Sequence, residues 1–184
     1  AGANRVLQVG ADIFIGDRVN TGKQGNVQIR FSDRTELVVG PNSSLVIEDY
    51  LLRADGSAGR FAIDALSGTF RFVTGHAEKD RYEIGLPSGT IGVRGTAFDF
   101  SIDPVTSETL ILLYEGAVDM CGTRGRCVRL SEVCGLGVIP RRASADIIGE
   151  MEKPPRLNEF PYLASQRPLR TDFRVRGSAD CKVP

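Results

Sequence analysis

Turn-forming residues recur about every 8–10 positions along most of this chain, and short apolar runs lie between them. Gly10, Gly16-Asp17, Gly22, Gly25-Asn26, Ser32-Asp33-Arg34 and Gly40-Pro41-Asn42 punctuate the first part. Between them come Val6–Val9, Ile13–Ile15, Arg18–Thr21, Val27–Phe31, Glu36–Val39 and Ser44–Glu48, each read as a strand. Such runs are too short for the helices of βαβ units, which need ten or more residues between strands. The spacing therefore predicts an all-β domain.

The middle keeps the habit. Phe61–Ile63 and Thr69–Val73 flank Ser67-Gly68, and Tyr82–Ile84 follows a polar stretch read as a loop over 75–81. Pro87-Ser88-Gly89 turns the chain, and Phe98, Phe100 and Ile102 then alternate with Asp99, Ser101 and Asp103. Gly92 and Gly95 bracket Val93-Arg94 and let the backbone bend and a neighbour approach closely. A hairpin is expected around Asp103–Thr106. Thr109–Tyr114 is apolar at nearly every position, which predicts a strand covered on both faces at the centre of the core. The domain is read as residues 1–140. Residues 141–184 are read as a short helix over Arg141–Glu150, started near Ser144 or Asp146, and an extension spaced by Pro154, Pro155, Pro161 and Pro168. The expected architecture is a solenoid- or sandwich-like stack of short strands with a short helix and an irregular C-terminal extension.

Composition supports a packed core. Of 184 residues 41% are apolar, and nine Phe with four Tyr supply bulk in the absence of Trp. Acidic and basic residues balance at 23 each, so the overall field gives no ground for a nucleic-acid partner. No run reaches the ~18 apolar residues of a membrane-spanning helix. The chain starts at Ala1 without Met, as a chain would after removal of a signal peptide. Four cysteines, Cys121, Cys127, Cys134 and Cys181, allow three disulfide pairings. Cys121–Cys127 would close a tight loop, and Cys134–Cys181 would tie the extension to the body. Their intervals are wider than the usual pairs of a four-thiolate zinc site. Disulfides in turn favour an oxidising compartment, periplasmic or extracellular.

Candidate chemistry is sparse. His76 is the sole histidine and has no nearby Cys or second His, so neither a metal centre nor a Ser–His–Asp site is expected. No glycine-rich stretch has phosphate-loop order. Asp99 and Asp103 share a strand face and would have to act as a carboxylate pair; solvated strand carboxylates are the plainer reading. Arg94 is a possible contact for an anionic ligand or partner, although a guanidinium between tight turns more often bonds nearby carbonyl oxygens. Neither enzyme nor cofactor is expected. The extension is expected to pack on the body, or else to act as an arm that offers Phe160, Tyr162 and Phe173 to a partner.

Several segments, in order, resemble the FecR domain. Arg18-Val19-Asn20-Thr21-Gly22 with Gly25, Val27–Phe31, Ser32-Asp33-Arg34-Thr35-Glu36-Leu37 and Gly40-Pro41-Asn42-Ser43-Ser44-Leu45 are similar to its first half. Leu66–Phe70, Gly92-Val93-Arg94-Gly95-Thr96-Ala97-Phe98 and Tyr114-Glu115-Gly116-Ala117-Val118 are similar to its second. The resemblance covers about residues 10 to 120, and Arg34 stands where the family usually has glycine. It implies an all-β module of the bacterial envelope. The best-known members are membrane-anchored regulators whose periplasmic part senses an outer-membrane transporter and controls a sigma factor. This sequence shows neither their cytoplasmic helical segment nor their membrane helix, so a stand-alone secreted or periplasmic protein is expected. The expected function is a protein-interaction module in envelope signalling or assembly. The alternative is a glycan- or peptidoglycan-binding module that uses Tyr50, Tyr82 or Tyr114 as stacking platforms.

Overall fold

The structure is a computed structural model and describes residues 4–52, 58–75, 82–149 and 159–181. Its strands are β1 (Arg18–Asn20), β2 (Val27–Arg30), β3 (Glu36–Val39), β4 (Ser44–Leu52), β5 (Ala58–Val73), β6 (Tyr82–Leu86), β7 (Gly89–Ile102), β8 (Thr109–Gly122), β9 (Val128–Leu130), β10 (Leu136–Ile139) and β11 (Asp146–Gly149). All belong to one mixed sheet, in which β5 and β6 pair in parallel and the other pairs are antiparallel. The fold is all-β, as the turn spacing predicts.

Three long strands fold this sheet over itself. The first halves of β5 and β7 and the second half of β8 join β1, β4, β6 and β9 in one layer. The other halves join β2, β3, β10 and β11 in a second layer. Each strand crosses between layers at a glycine with positive φ: Gly68 at 102°, Gly95 at 60° and Gly116 at 79°. At Gly116 a Cβ would meet the Gly95 carbonyl oxygen at 2.1 Å, so two crossings touch where no side chain fits. Gly92 is different. It lies in regular strand opposite Asp119, with only ordinary contacts for an added Cβ.

The layers enclose the main core. Phe70, Phe72, Phe98 and Phe100 from the second layer meet Phe61, Ile63, Tyr82, Ile84, Ile91 and Val93 from the first. Fully burying one such side chain contributes about 1.5–3 kcal/mol. β8 is covered on both faces as expected: Ile111 and Leu113 point into this core, while Leu110, Leu112 and Tyr114 point outward under the C-terminal tail. The described part of the tail, residues 159–181, includes a one-turn helix α1 (Pro161–Ala164) and two 3-10 turns, Thr171–Phe173 and Arg176–Ala179. Phe160, Leu163 and Val175 pack on the outer side of β8, and Tyr162, Leu169 and Phe173 pack on Val38. The structure joins Cys134 to Cys181 and Cys121 to Cys127. The first bond fixes the end of the tail beside β8 and β10.

Three local expectations need correction. Residues 141–149 form a turn and then strand β11 rather than a helix, because Asp146–Gly149 pairs with β10 and carries two β-branched isoleucines. The sheet therefore continues past residue 140. Val6–Val9 and Ile13–Ile15 form no strand: Gly10 and Gly16 take positive φ, and the segment loops back on itself. The Arg5 guanidinium closes that loop on the Asp12 carbonyl and the Asp17 carboxylate. Finally, 61–63 and 69–73 are one strand that bends at Gly68 instead of two strands and a turn.

Candidate functional site

The register of β5 and β7 sets Arg71 directly across from Asp99 on the outer side of the second layer. Alternation alone would leave both in water. The tail covers them instead, and both side chains are buried. Arg71 donates from Nε to Asp99 Oδ1 at 2.6 Å and from Nη2 to Oδ2 at 2.9 Å. The Tyr114 hydroxyl donates to the same Oδ2 at 2.7 Å. From the tail, Gln166 Oε1 accepts from Arg71 Nη1 and from the Val175 backbone N–H, while its Nε2 donates to the Val175 carbonyl and Ser178 Oγ. The guanidinium lies between two rings, with its carbon 5.2 Å from the Tyr114 centroid and 5.5 Å from that of Tyr162. Planar stacking and a bidentate fork are both properties of arginine that lysine lacks. Burial pushes the Asp99 carboxyl above its ordinary range, against the pull of Arg71 and Tyr114, and Arg71 stays protonated. Burial also pushes the Tyr162 hydroxyl up to about 12, and among the described residues that hydroxyl has no hydrogen-bond partner.

This cluster is a clasp between tail and sheet. Asp99 is not a solvated carboxylate and does not meet Asp103. The Asp103 side chain caps the 103–108 turn by accepting from the N–H groups of Val105 and Thr106, which lowers its pKa. Phe160, Tyr162 and Phe173 are buried against the chain's own sheet, so in this arrangement they anchor the tail and are not open to a partner. Tyr82 and Tyr114 are buried and Tyr50 is half-buried, with its ring against Phe31 and Phe61. Tyr82 and Tyr114 therefore present no platform for a sugar. His76, Pro154 and Pro155 lie outside the described residues. Among the described residues no group of three His, Cys, Asp or Glu side chains is placed to hold a metal ion.

Arg94 lies on the opposite, outer side of the first layer, close to Arg129. Both donate to Asp119, each from Nε at 2.8 Å, and hold its carboxyl below the ordinary range, Arg129 having the larger effect. A carboxylate on β8 is thus one partner of Arg94. A second polar cluster fixes the 32–35 turn: Asp33 accepts from Thr35 N, Thr35 Oγ1 and the Tyr82 hydroxyl. Within it Arg34 has φ 69°, the left-handed conformation that glycine adopts without strain.

A cleft of about 550 Å³ opens along β2. One wall is residues 26–32; facing it is the N-terminal arm, residues 7–13. Leu7, Ile13, Ile29, Phe31, Ile47 and Tyr50 give it an apolar lining, and Arg30 and Arg170 stand at its rim. On the arm itself Val6 and Val9 are almost fully exposed, and Phe14 and Ile15 more than half. This cleft escaped the sequence reading, which took the arm for two strands of the sheet.

The sequence matches the family described as FecR protein over residues 17–119. The chain belongs to the FecR family. The matched span runs from β1 into the last part of β8, to residue 119, and so contains all three glycine crossings. A comparison with curated proteins finds no match. Among solved structures, two crystal structures of a candidate anti-sigma factor from Parabacteroides distasonis ATCC 8503 share this FecR chain's fold, each with a TM-score of 0.58 at 10% identity. The alignment covers 73% of this chain and 60% of that one. Among the described residues no helix is long and apolar enough to cross a membrane. The two disulfides fit an oxidising compartment.

Proposed function

We propose that this FecR protein is a non-enzymatic protein-interaction module of the bacterial periplasm, acting in envelope signalling or as a structural part of an envelope assembly. The observation that carries the reading is the FecR match, which extends through both layers of the sheet. The fold shared with a candidate anti-sigma factor supports the signalling branch. The buried clasp adds a physical reason. Arg71, Asp99 and Gln166 are committed to holding the tail, so recognition falls to strand edges and to surfaces the tail leaves uncovered.

In-cell crosslinking of the chain in its native envelope, read by mass spectrometry, tests the reading. A stoichiometric protein partner is the expected result. Recovery of wall fragments without any protein partner would overturn it.

A further inference from the structure

Among the described residues β2 ends the second layer and pairs only with β3. Phe31 N donates to the Thr35 carbonyl, and this fixes the phase of the ladder. Val27, Ile29 and Phe31 turn their backbone N–H and C=O groups toward β3, whereas Gln28 and Arg30 turn theirs into the cleft. No hydrogen bond within the described residues uses those four outward groups. The arm faces β2 across the cleft without pairing to it. Residues 26–32 run about 20 Å, the length of six or seven residues of extended peptide.

The geometry points to strand addition: β2 takes an extended segment of a partner protein, paired antiparallel, with apolar and acidic residues in alternation. This inference rests on the interaction-module reading. Residues paired across antiparallel strands share a face. Those beside Ile29 would enter the apolar lining with Leu7, Ile13, Ile47 and Tyr50; those beside Gln28 and Arg30 would lie on the outer, tail side. That side is basic. Residues 166–176 carry Arg167, Arg170, Arg174 and Arg176 against one acidic residue, Asp172, and all four arginines are exposed. Arg30 bridges Glu36 and Asp172, and Asp12 on the arm lines the far wall. Backbone pairing would supply affinity, and the side-chain alternation specificity.

The test uses the full chain and two synthetic peptides, acetyl-Glu-Val-Glu-Ile-Glu-Val-Glu-amide and its counterpart with Lys at each Glu position. Fluorescence anisotropy should show the acidic peptide binding at least about 10-fold tighter, the margin shrinking with salt. In antiparallel pairing the Glu amides face β2. N-methylation of those amides should abolish binding, whereas N-methylation of the apolar residues should be tolerated. Hydrogen exchange at the Gln28 and Arg30 amides should slow at least about 10-fold at saturation, with Val27 and Ile29 unchanged. Arg170→Glu should weaken the acidic peptide at least about five-fold without altering the unfolding curve. Equal binding of the Glu-methylated peptide, or unchanged exchange at Gln28 and Arg30, overturns the inference. So does self-association through β2 in sedimentation, which would make the occupant a second copy. If crosslinking recovers an envelope partner attached elsewhere while the peptides fail, strand addition falls and the interaction-module reading stands. If crosslinking finds no partner, that reading falls with it.

Discussion

Asp99→Asn should be among the most damaging single-atom-scale changes in this protein. The substitution keeps shape and removes charge, leaving the Arg71 guanidinium buried without its counter-ion. Breaking a buried pair in this way costs about 3–5 kcal/mol, a large share of the roughly 5–15 kcal/mol that holds a typical domain folded. With a urea m-value of about 2 kcal/mol/M, the unfolding midpoint should fall by roughly 1.5–2.5 M. Arg71→Met is less simple, because Asp99 can take up a proton. Burial already raises the Asp99 pKa, and loss of Arg71 removes the strongest opposing influence. A carboxyl whose folded pKa exceeds its unfolded value loses stability as pH rises from the unfolded pKa through the folded one. The penalty of Arg71→Met should therefore be smaller near about pH 5 than near about pH 8, whereas that of Asp99→Asn, which removes the titrating group, should not grow with pH.

The double variant Arg71→Met/Asp99→Leu separates charge from packing. It removes both charges and leaves the Tyr114 hydroxyl without its acceptor, at about 1 kcal/mol, while Gln166 Oε1 keeps the Val175 N–H. It should be more stable than either Arg71→Met or Asp99→Leu alone, and the cycle that these variants close should give a coupling of at least about 2 kcal/mol. Urea unfolding at several pH values measures all of these variants. Additive single effects, or a cost below about 1 kcal/mol for Asp99→Asn, would refute the account of the clasp as a desolvated ion pair.

Two further stability predictions follow from the tail and a turn. Cys181→Ser opens a closed loop with a sequence separation of 47 and should lower stability by about 4 kcal/mol in the chain-entropy estimate; increased binding of a hydrophobic dye should report release of Phe160, Tyr162 and Phe173, and an unchanged melting curve would count against the tether. Arg34→Gly should raise stability by about 0.5–1 kcal/mol, since relief of the left-handed conformation at φ 69° outweighs the added freedom of the unfolded chain. A lower melting temperature in that variant would show that contacts of the Arg34 side chain matter more than its backbone.

Strand positions were legible wherever alternation and a glycine turn agreed, as at Val27–Arg30, Glu36–Val39 and Phe98–Ile102. The Gly68 crossing was misread as a turn between two strands because a turn and a bend between layers use the same residue; Gly68 sits inside a continuous strand. The two-sided burial of β8 was visible, yet what lies on its outer side was not. Phe70-Arg71-Phe72 and Phe98-Asp99-Phe100 each present a charge between aromatics, which by alternation alone belongs in solvent. Only the pairing register, which sets Arg71 opposite Asp99, and the distant Gln166 turn those positions into a buried site. Period-two patterning carries no information about contacts across 95 residues of sequence.

The placement of the tail bears on where a partner can bind. A sheet with edges risks pairing with other chains, and proteins usually cover or disrupt an edge that must stay closed. Here the tail covers a face, not an edge: it spends its aromatic residues on the outer side of β3 and β8. The N-terminal arm stands over the β2 edge, with Leu7 and Ile13 packed toward the core, but leaves the outward groups of Gln28 and Arg30 unused. At the other end of the same layer β11 is a four-residue strand with Ile147 and Ile148 each 41% exposed. The two edges are equally short, but β2 adds an apolar lining and a basic rim to its open ladder. The division of labour is physical: the clasp commits the covered face to the tail, whereas at β2 added backbone hydrogen bonds need not first displace existing ones.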